Sequence, residues 1–134
     1  MTCKILIADD EPNILISLEY LMKREGFDVV VARDGQQAID AVRRERPRLV
    51  LLDVMMPRKS GFEVCQELRA DEQIKDTLVL MLTAKGRETD SAKGLGVGAD
   101  AYMTKPFSTS ELVRKVRSML AGDGDGDGDG DGAA

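Results

Sequence analysis

Histidine is absent from the 134 residues, and cysteine occurs only at Cys3 and Cys65. A metal bound by this chain must therefore rest mainly on oxygen ligands, which favours a hard ion. Two cysteines do not make a disulfide framework, and they read as unpaired thiols in a reducing compartment. Long apolar runs are missing too. No stretch of about 18 apolar residues is available to cross a bilayer. Met1-Thr2-Cys3-Lys4 leads into only four apolar residues before Asp9-Asp10-Glu11, too few for a signal peptide. The expectation is a cytoplasmic protein with no membrane partner.

Strong charge of either sign is also missing from the body of the chain. The formal net charge is -5, but five of the 24 acidic residues (Asp123, Asp125, Asp127, Asp129 and Asp131) stand in a C-terminal Asp-Gly run. The 19 acidic residues that remain match the 19 Lys and Arg. A nearly neutral body offers no global basic field, so direct nucleic-acid binding is not expected. With 43% apolar residues the chain has enough for one core, and its length suits one domain.

Five short apolar runs punctuate the sequence: Ile5–Ala8, Val29–Ala32, Leu49–Leu52, Leu78–Leu82 and Ala101–Thr104. Most are continuously apolar, the pattern of parallel strands covered on both faces. Between them lie helical spacings. Ile14, Leu15, Leu18, Leu21 and Met22 form one stripe; Leu112, Val113, Val116, Met119 and Leu120 form another. Shorter stripes appear at Ala38, Ile39, Val42 and at Val64, Cys65, Leu68, and Gly86–Leu95 reads as a helix with few apolar anchors. Pro12 suits a first helical turn, Gly26 a helix stop, Pro47 bars continuation of the second helix, and Ser108 with Glu111 makes a capping box. The reading is β-α repeated five times, a doubly wound α/β fold with a parallel sheet and right-handed crossovers. Strand order is not legible from local sequence. The domain is expected to span residues 1–121, with a disordered Asp-Gly tail at 122–134.

Chemistry concentrates where the strands end. Asp9, Asp10 and Glu11 follow the first, Asp53 the third, Thr83 the fourth, and Lys105-Pro106 the fifth. In an open parallel sheet these ends share one edge, where ligand sites form. If the first and third strands are neighbours, Asp9, Asp10 and Asp53 converge. Any one of these residues alone could simply begin a solvated loop; Asp9, Asp10, Asp53, Thr83 and Lys105 all at one edge are not expected by chance. Three clustered carboxylates raise one another's pKa or recruit a cation, and oxygen-only ligands point to Mg²⁺. Lys105 adds a compact positive charge for an anionic phosphoryl oxygen, and Thr83 a hydroxyl donor. Together these are the parts for phosphoryl transfer onto an aspartate.

The runs Ile7-Ala8-Asp9-Asp10-Glu11-Pro12, Leu51-Leu52-Asp53-Val54-Met55-Met56-Pro57 and Tyr102-Met103-Thr104-Lys105-Pro106-Phe107 resemble the response-regulator receiver domains of two-component signalling, over residues 3–121. The resemblance implies a flavodoxin-like five-stranded sheet of order 2-1-3-4-5 with five helices. It implies that Asp53 is the phosphoacceptor for a sensor histidine kinase or phosphotransfer protein. Mg²⁺ would be held by Asp10 and Asp53, by Asp9 through water and by the Met55 backbone carbonyl. Lys105 would pair with the acyl phosphate, with a cis bond to Pro106. Thr83 and Tyr102 would form the switch, coupling phosphorylation to the face made by the fourth helix, fifth strand and fifth helix. A downstream protein would read that face.

The chain departs from many relatives at three places. Ser60 stands where an acidic residue is common. Met55 and Lys85 occupy positions that tune dephosphorylation and suggest a phosphoryl group not shed very fast. Asp100-Ala101 replaces the Asp-Asp pair of receivers that dimerise through that face, although Arg114 and Arg117 remain; the expectation is a monomer or a weak phosphorylation-dependent dimer.

Other features carry less. Gly94-Leu95-Gly96-Val97-Gly98 follows a helical stretch and reads as a loop rather than a nucleotide cradle. Arg43, Arg44, Arg46 and Arg48 read as a solvated helix end. The tail's calcium-loop spacing fails at Ala134, where a Glu is needed. No output segment follows residue 121, so a stand-alone receiver that is not an enzyme for other substrates is expected. An aspartate-nucleophile phosphatase would want a carboxylate where Met55 stands. A non-phosphorylated module on the same fold would not need the complete polar set.

Overall fold

The computed structural model describes residues 3–84 and 96–121. In chain order these form β1 (Lys4–Ala8), α1 (Pro12–Arg24), β2 (Asp28–Ala32), α2 (Gly35–Glu45), β3 (Leu49–Asp53), α3 (Gly61–Ala70), β4 (Leu78–Ala84), β5 (Ala101–Lys105) and α4 (Thr109–Leu120). The expected helix over Gly86–Leu95, Lys85 and the tail from Gly122 lie outside the described residues, so the C-terminal helix is the fourth one described. All strand pairings are parallel, and the sheet order is β2-β1-β3-β4-β5. The flavodoxin-like architecture expected of the sequence is present.

The strands alternate their residues between two cores. Val50 and Leu52 of β3 join Ala38, Ile39, Val42, Val64, Cys65 and Leu68 on the side covered by α2 and α3. Leu49 and Leu51 join Leu15, Leu18, Met22, Leu112 and Val116 on the side covered by α1 and α4. All five residues of β3 are buried, which is why that strand shows no polar alternation.

Helix ends follow local chemistry. Pro12 opens α1, and Gly26 beyond it takes φ 95, open to glycine at little strain. Asp34 caps α2, whose end at Arg46 is left-handed. Ser60 and Glu63 form a reciprocal capping box on α3, as Ser108 and Glu111 do on α4. Ser60 is thus a helix cap, a role its place before a glycine did not advertise. The basic run is consumed within the fold: Arg43 pairs with Asp71, Arg44 with Glu45, Arg46 reaches Gln73, and Arg48 donates to the Leu120 carbonyl. Both cysteines are free. Among the described residues no helix is long and apolar enough to cross a membrane.

Candidate functional site

The strands run one or two residues further than the apolar runs alone suggested. The ladder continues through Asp53, opposite Leu82, and through Thr83 and Ala84, opposite Thr104 and Lys105. Backbone pairing does not depend on side-chain polarity, so apolar periodicity underestimates strand length here. Asp53, Thr83 and Lys105 therefore sit on ladder positions at the carboxyl edge.

Register decides which of them meet. Ala8 pairs with Leu52, which places Asp9 beside Asp53 one step on. Asp9 and Asp53 continue the pleat of Ile5, Ile7, Leu49 and Leu51, and Lys105 continues that of Ala101 and Met103. These three side chains rise on the same side of the sheet. Carboxylate oxygens of Asp9, Asp10 and Asp53 all lie within 4.8 Å of one another. Lys105 Nζ donates to Asp53 Oδ1 at 3.1 Å and to Asp9 Oδ2 at 3.2 Å. The bond to Asp9 is an addition to what the motif implied for Lys105. Asp9 Oδ1 accepts from the Glu11 amide at 2.9 Å, which turns the chain sharply out of β1. Asp9 and Asp53 are buried, and Asp10 is exposed to incoming groups.

The electrostatics are those of a frustrated cluster. Two carboxylates separated by no more than 4.8 Å repel by at least about 3.5 kcal/mol at an effective dielectric near 20. Burial first, and then the Asp9 charge, push the Asp53 carboxyl from 3.8 up to about 6; Lys105 pulls it back and Asp10 adds a smaller push. Burial alone would lower the Lys105 ammonium, but the Asp53 and Asp9 carboxylates outweigh it and hold the lysine above its ordinary value. One ammonium does not neutralise three carboxylates, so the site keeps an unmet demand for positive charge. An all-oxygen donor set of this kind fits Mg²⁺.

Thr83 continues the opposite pleat at the same edge. It is 1% exposed, and its Oγ1 is buried with no hydrogen-bond partner among the described residues. Leaving a buried hydroxyl unmade costs on the order of 1–3 kcal/mol, and such groups call for an explanation. Met55 stands exposed two residues beyond β3, and Tyr102 is 43% exposed on the outward pleat of β5. The Lys105–Pro106 peptide is cis, as the motif implied. Gly61 begins α3 so close to β3 that a Cβ there would stand 2.5 Å from the Asp53 carbonyl oxygen. This packing, which brings α3 tight under the acidic residue, had no sequence signal beyond the glycine itself.

The family model for the response regulator receiver domain matches residues 5–117. The chain belongs to the response-regulator receiver family. Receivers are signalling domains that interact with histidine kinases or phosphotransfer proteins, and they are generally not enzymes toward other substrates. Among solved structures, the chain is similar to a putative response regulator from Chloroflexus aurantiacus J-10-fl, with 31% identity, TM-score 0.87 and coverage of 90% of this chain and 99% of that one. It is similar to the chemotaxis response regulator CheY4 of Vibrio cholerae, at 30% identity and TM-score 0.82, covering 87% of this receiver and 98% of that chain. A Francisella response regulator receiver domain matches at 33% identity and TM-score 0.79, covering 87% and 94%.

Two of the dimer-face residues singled out in the sequence, Asp100 and Arg117, are engaged within this receiver. Asp100 pairs with Arg69 at 2.7 Å, and Arg117 donates to Glu25 Oε1 at 2.8 Å and lies over the Phe27 ring. The Arg69–Asp100 pair was not anticipated: it joins residues 31 apart, and Arg69 lies in no recognisable motif.

Proposed function

We propose that this receiver accepts a phosphoryl group on Asp53 from a phosphohistidine of a sensor kinase or phosphotransfer protein, and signals by protein contact. The observation that carries the reading is the Asp53 carboxylate at the open sheet edge, flanked by Asp9 and Asp10 and bonded to Lys105 Nζ at 3.1 Å. An Asp53 oxygen attacks phosphorus in line; the new O–P bond forms as the N–P bond breaks, and the electron pair leaves with the imidazole. Lys105, fixed by two carboxylates, presents its charge to a phosphoryl oxygen without needing to reorganise. The Thr83 hydroxyl, unpartnered among the described residues, is the natural donor to a second oxygen. When bound, Mg²⁺ would be held by Asp10 and Asp53, by Asp9 through water and by the Met55 carbonyl, and would neutralise charge on the transferring group.

Signal output follows from the same residues. Thr83, drawn toward the phosphoryl group, vacates space behind it, and the outward Tyr102 ring turns in to occupy that space. The surface around β5 and α4 changes accordingly, and a downstream protein reads it. The intramolecular commitments of Asp100 and Arg117 favour a monomer on that face. A cytoplasmic location fits free thiols and a kinase partner. The domain is taken as residues 1–121, with the Asp-Gly segment outside the signalling unit. Acetyl phosphate with Mg²⁺ is expected to modify Asp53, beryllofluoride to occupy it, and Asp53→Asn to abolish both. Phosphorylation of the Asp53→Asn protein at an undiminished rate would refute the assignment.

A further inference from the structure

Lys105 lies on a strand whose register is weakly specified by packing. Among the described residues β5 is an edge strand that pairs with β4 alone, and none of its five residues is fully buried. A slip of one residue would carry every side chain of β5 to the opposite face, and Lys105 away from Asp53. Ala101 and Met103 reach the core only half-buried, so packing fixes the register of β5 less firmly than that of the fully buried β3.

The residue ahead of β5 supplies a further constraint. Asp100 donates its amide to the Val79 carbonyl at 2.9 Å, and its Oδ2 accepts the Val79 amide at 2.8 Å. One residue thus holds both backbone groups of Val79, directly before the first rung at Leu80 and Ala101. Arg69 at the end of α3 donates to the same Oδ2 at 2.7 Å. The guanidinium also reaches the carbonyls of Gly98 at 2.8 Å, Lys75 at 2.8 Å and Thr77 at 2.6 Å. Its planar fork therefore ties α3 to the segments entering both β4 and β5, which a lysine could not do. Gly98, at φ 108, is shaped for this: a Cβ there would stand 2.8 Å from the Arg69 Cγ.

We propose that the Arg69–Asp100 pair is a positioning device for phosphoryl transfer, fixing the register of β5 so that Lys105 meets Asp53 and Asp9. Neither residue touches the reacting atoms. The pair acts through Lys105, and this inference rests on the phosphoacceptor reading above.

The test uses the full chain and compares Asp100→Ala with wild type by two readouts. Cross-strand NOEs between residues 80–84 and 101–105 report register with no phosphorylation. The rate of modification by acetyl phosphate at saturating Mg²⁺ reports Lys105 in action. The expected result is loss or doubling of the native NOE set, with a rate reduced about tenfold or more. Mg²⁺ affinity should hold or rise, because Asp9, Asp10 and Asp53 lie on other strands or their ends and lose a competing cation. Native NOEs with a rate within about twofold of wild type would overturn the proposal. Should Asp100→Ala not fold, Asp100→Asn keeps an acceptor for Val79 but loses the charge facing Arg69; the same changes, smaller, are expected, and their absence overturns the proposal equally. If wild type itself takes no phosphoryl group, the phosphoacceptor reading fails, while the NOEs still decide the register claim.

Discussion

Replacing Asp53 by Asn should make the metal-free protein more stable. In the fold this carboxyl is moved from 3.8 to about 6, chiefly by burial and by Asp9. Each pH unit of such a displacement is worth about 1.4 kcal/mol, so the ionised Asp53 opposes folding by roughly 3 kcal/mol at neutral pH. The sign follows from proton counts. Between pH 3.8 and about 6 the native state binds more protons at this site than the unfolded chain, so its contribution falls as pH rises through that window. Above it the loss is complete. Asn is nearly isosteric, still accepts from Lys105, and carries no charge. Urea unfolding in EDTA at pH 7.5 should therefore show Asp53→Asn more stable by about 2–3 kcal/mol at unchanged m, with Tm higher by roughly 10 °C. The difference between the two proteins isolates Asp53, because Asp71, Glu45 and Glu111, whose carboxyls are held below their ordinary range, titrate alike in both. That difference should shrink toward zero as pH falls to about 4. A less stable Asp53→Asn, or a difference independent of pH, would refute the reasoning.

Three further outcomes follow from the same geometry. Lys105→Ala removes the group that pulls the Asp53 carboxyl down, so its carboxyl carbon should titrate above about 6, and acetyl phosphate modification should slow by roughly 10²-fold. Gly61→Ala drives a methyl against the Asp53 carbonyl, a clash with backbone that should destabilise the fold by about 1–3 kcal/mol in denaturant titrations. Ser60→Ala removes one half of a capping box on α3 and should lower stability by about 1 kcal/mol, with Ser60→Asp restoring most of it.

Much of this receiver was legible before its structure. Continuous apolar runs gave the buried parallel strands, and polar residues after them gave the reactive edge, because a doubly wound sheet leaves its strand ends on one side. What local sequence could not supply was neighbour relations. The order β2-β1-β3-β4-β5 was reached only through motif resemblance, and the bond from Lys105 to Asp9 depends on that order. Ser60 escaped notice as a cap because its Glu63 partner precedes only a short apolar stripe. The pairing of Arg69 with Asp100 escaped because a charge pair across 31 residues has no periodicity. Strand lengths were read short at Asp53 and Thr83, where the ladder ignores side-chain polarity.

The most direct test of the central claim is residue-resolved mass spectrometry of the chain after brief exposure to acetyl phosphate and Mg²⁺, with borohydride trapping of the acyl phosphate. The account predicts one trapped acyl phosphate per chain, appearing after hydride reduction and loss of phosphate as homoserine at position 53, and none in Asp53→Asn. A label on another residue, or an unmodified chain, would contradict it.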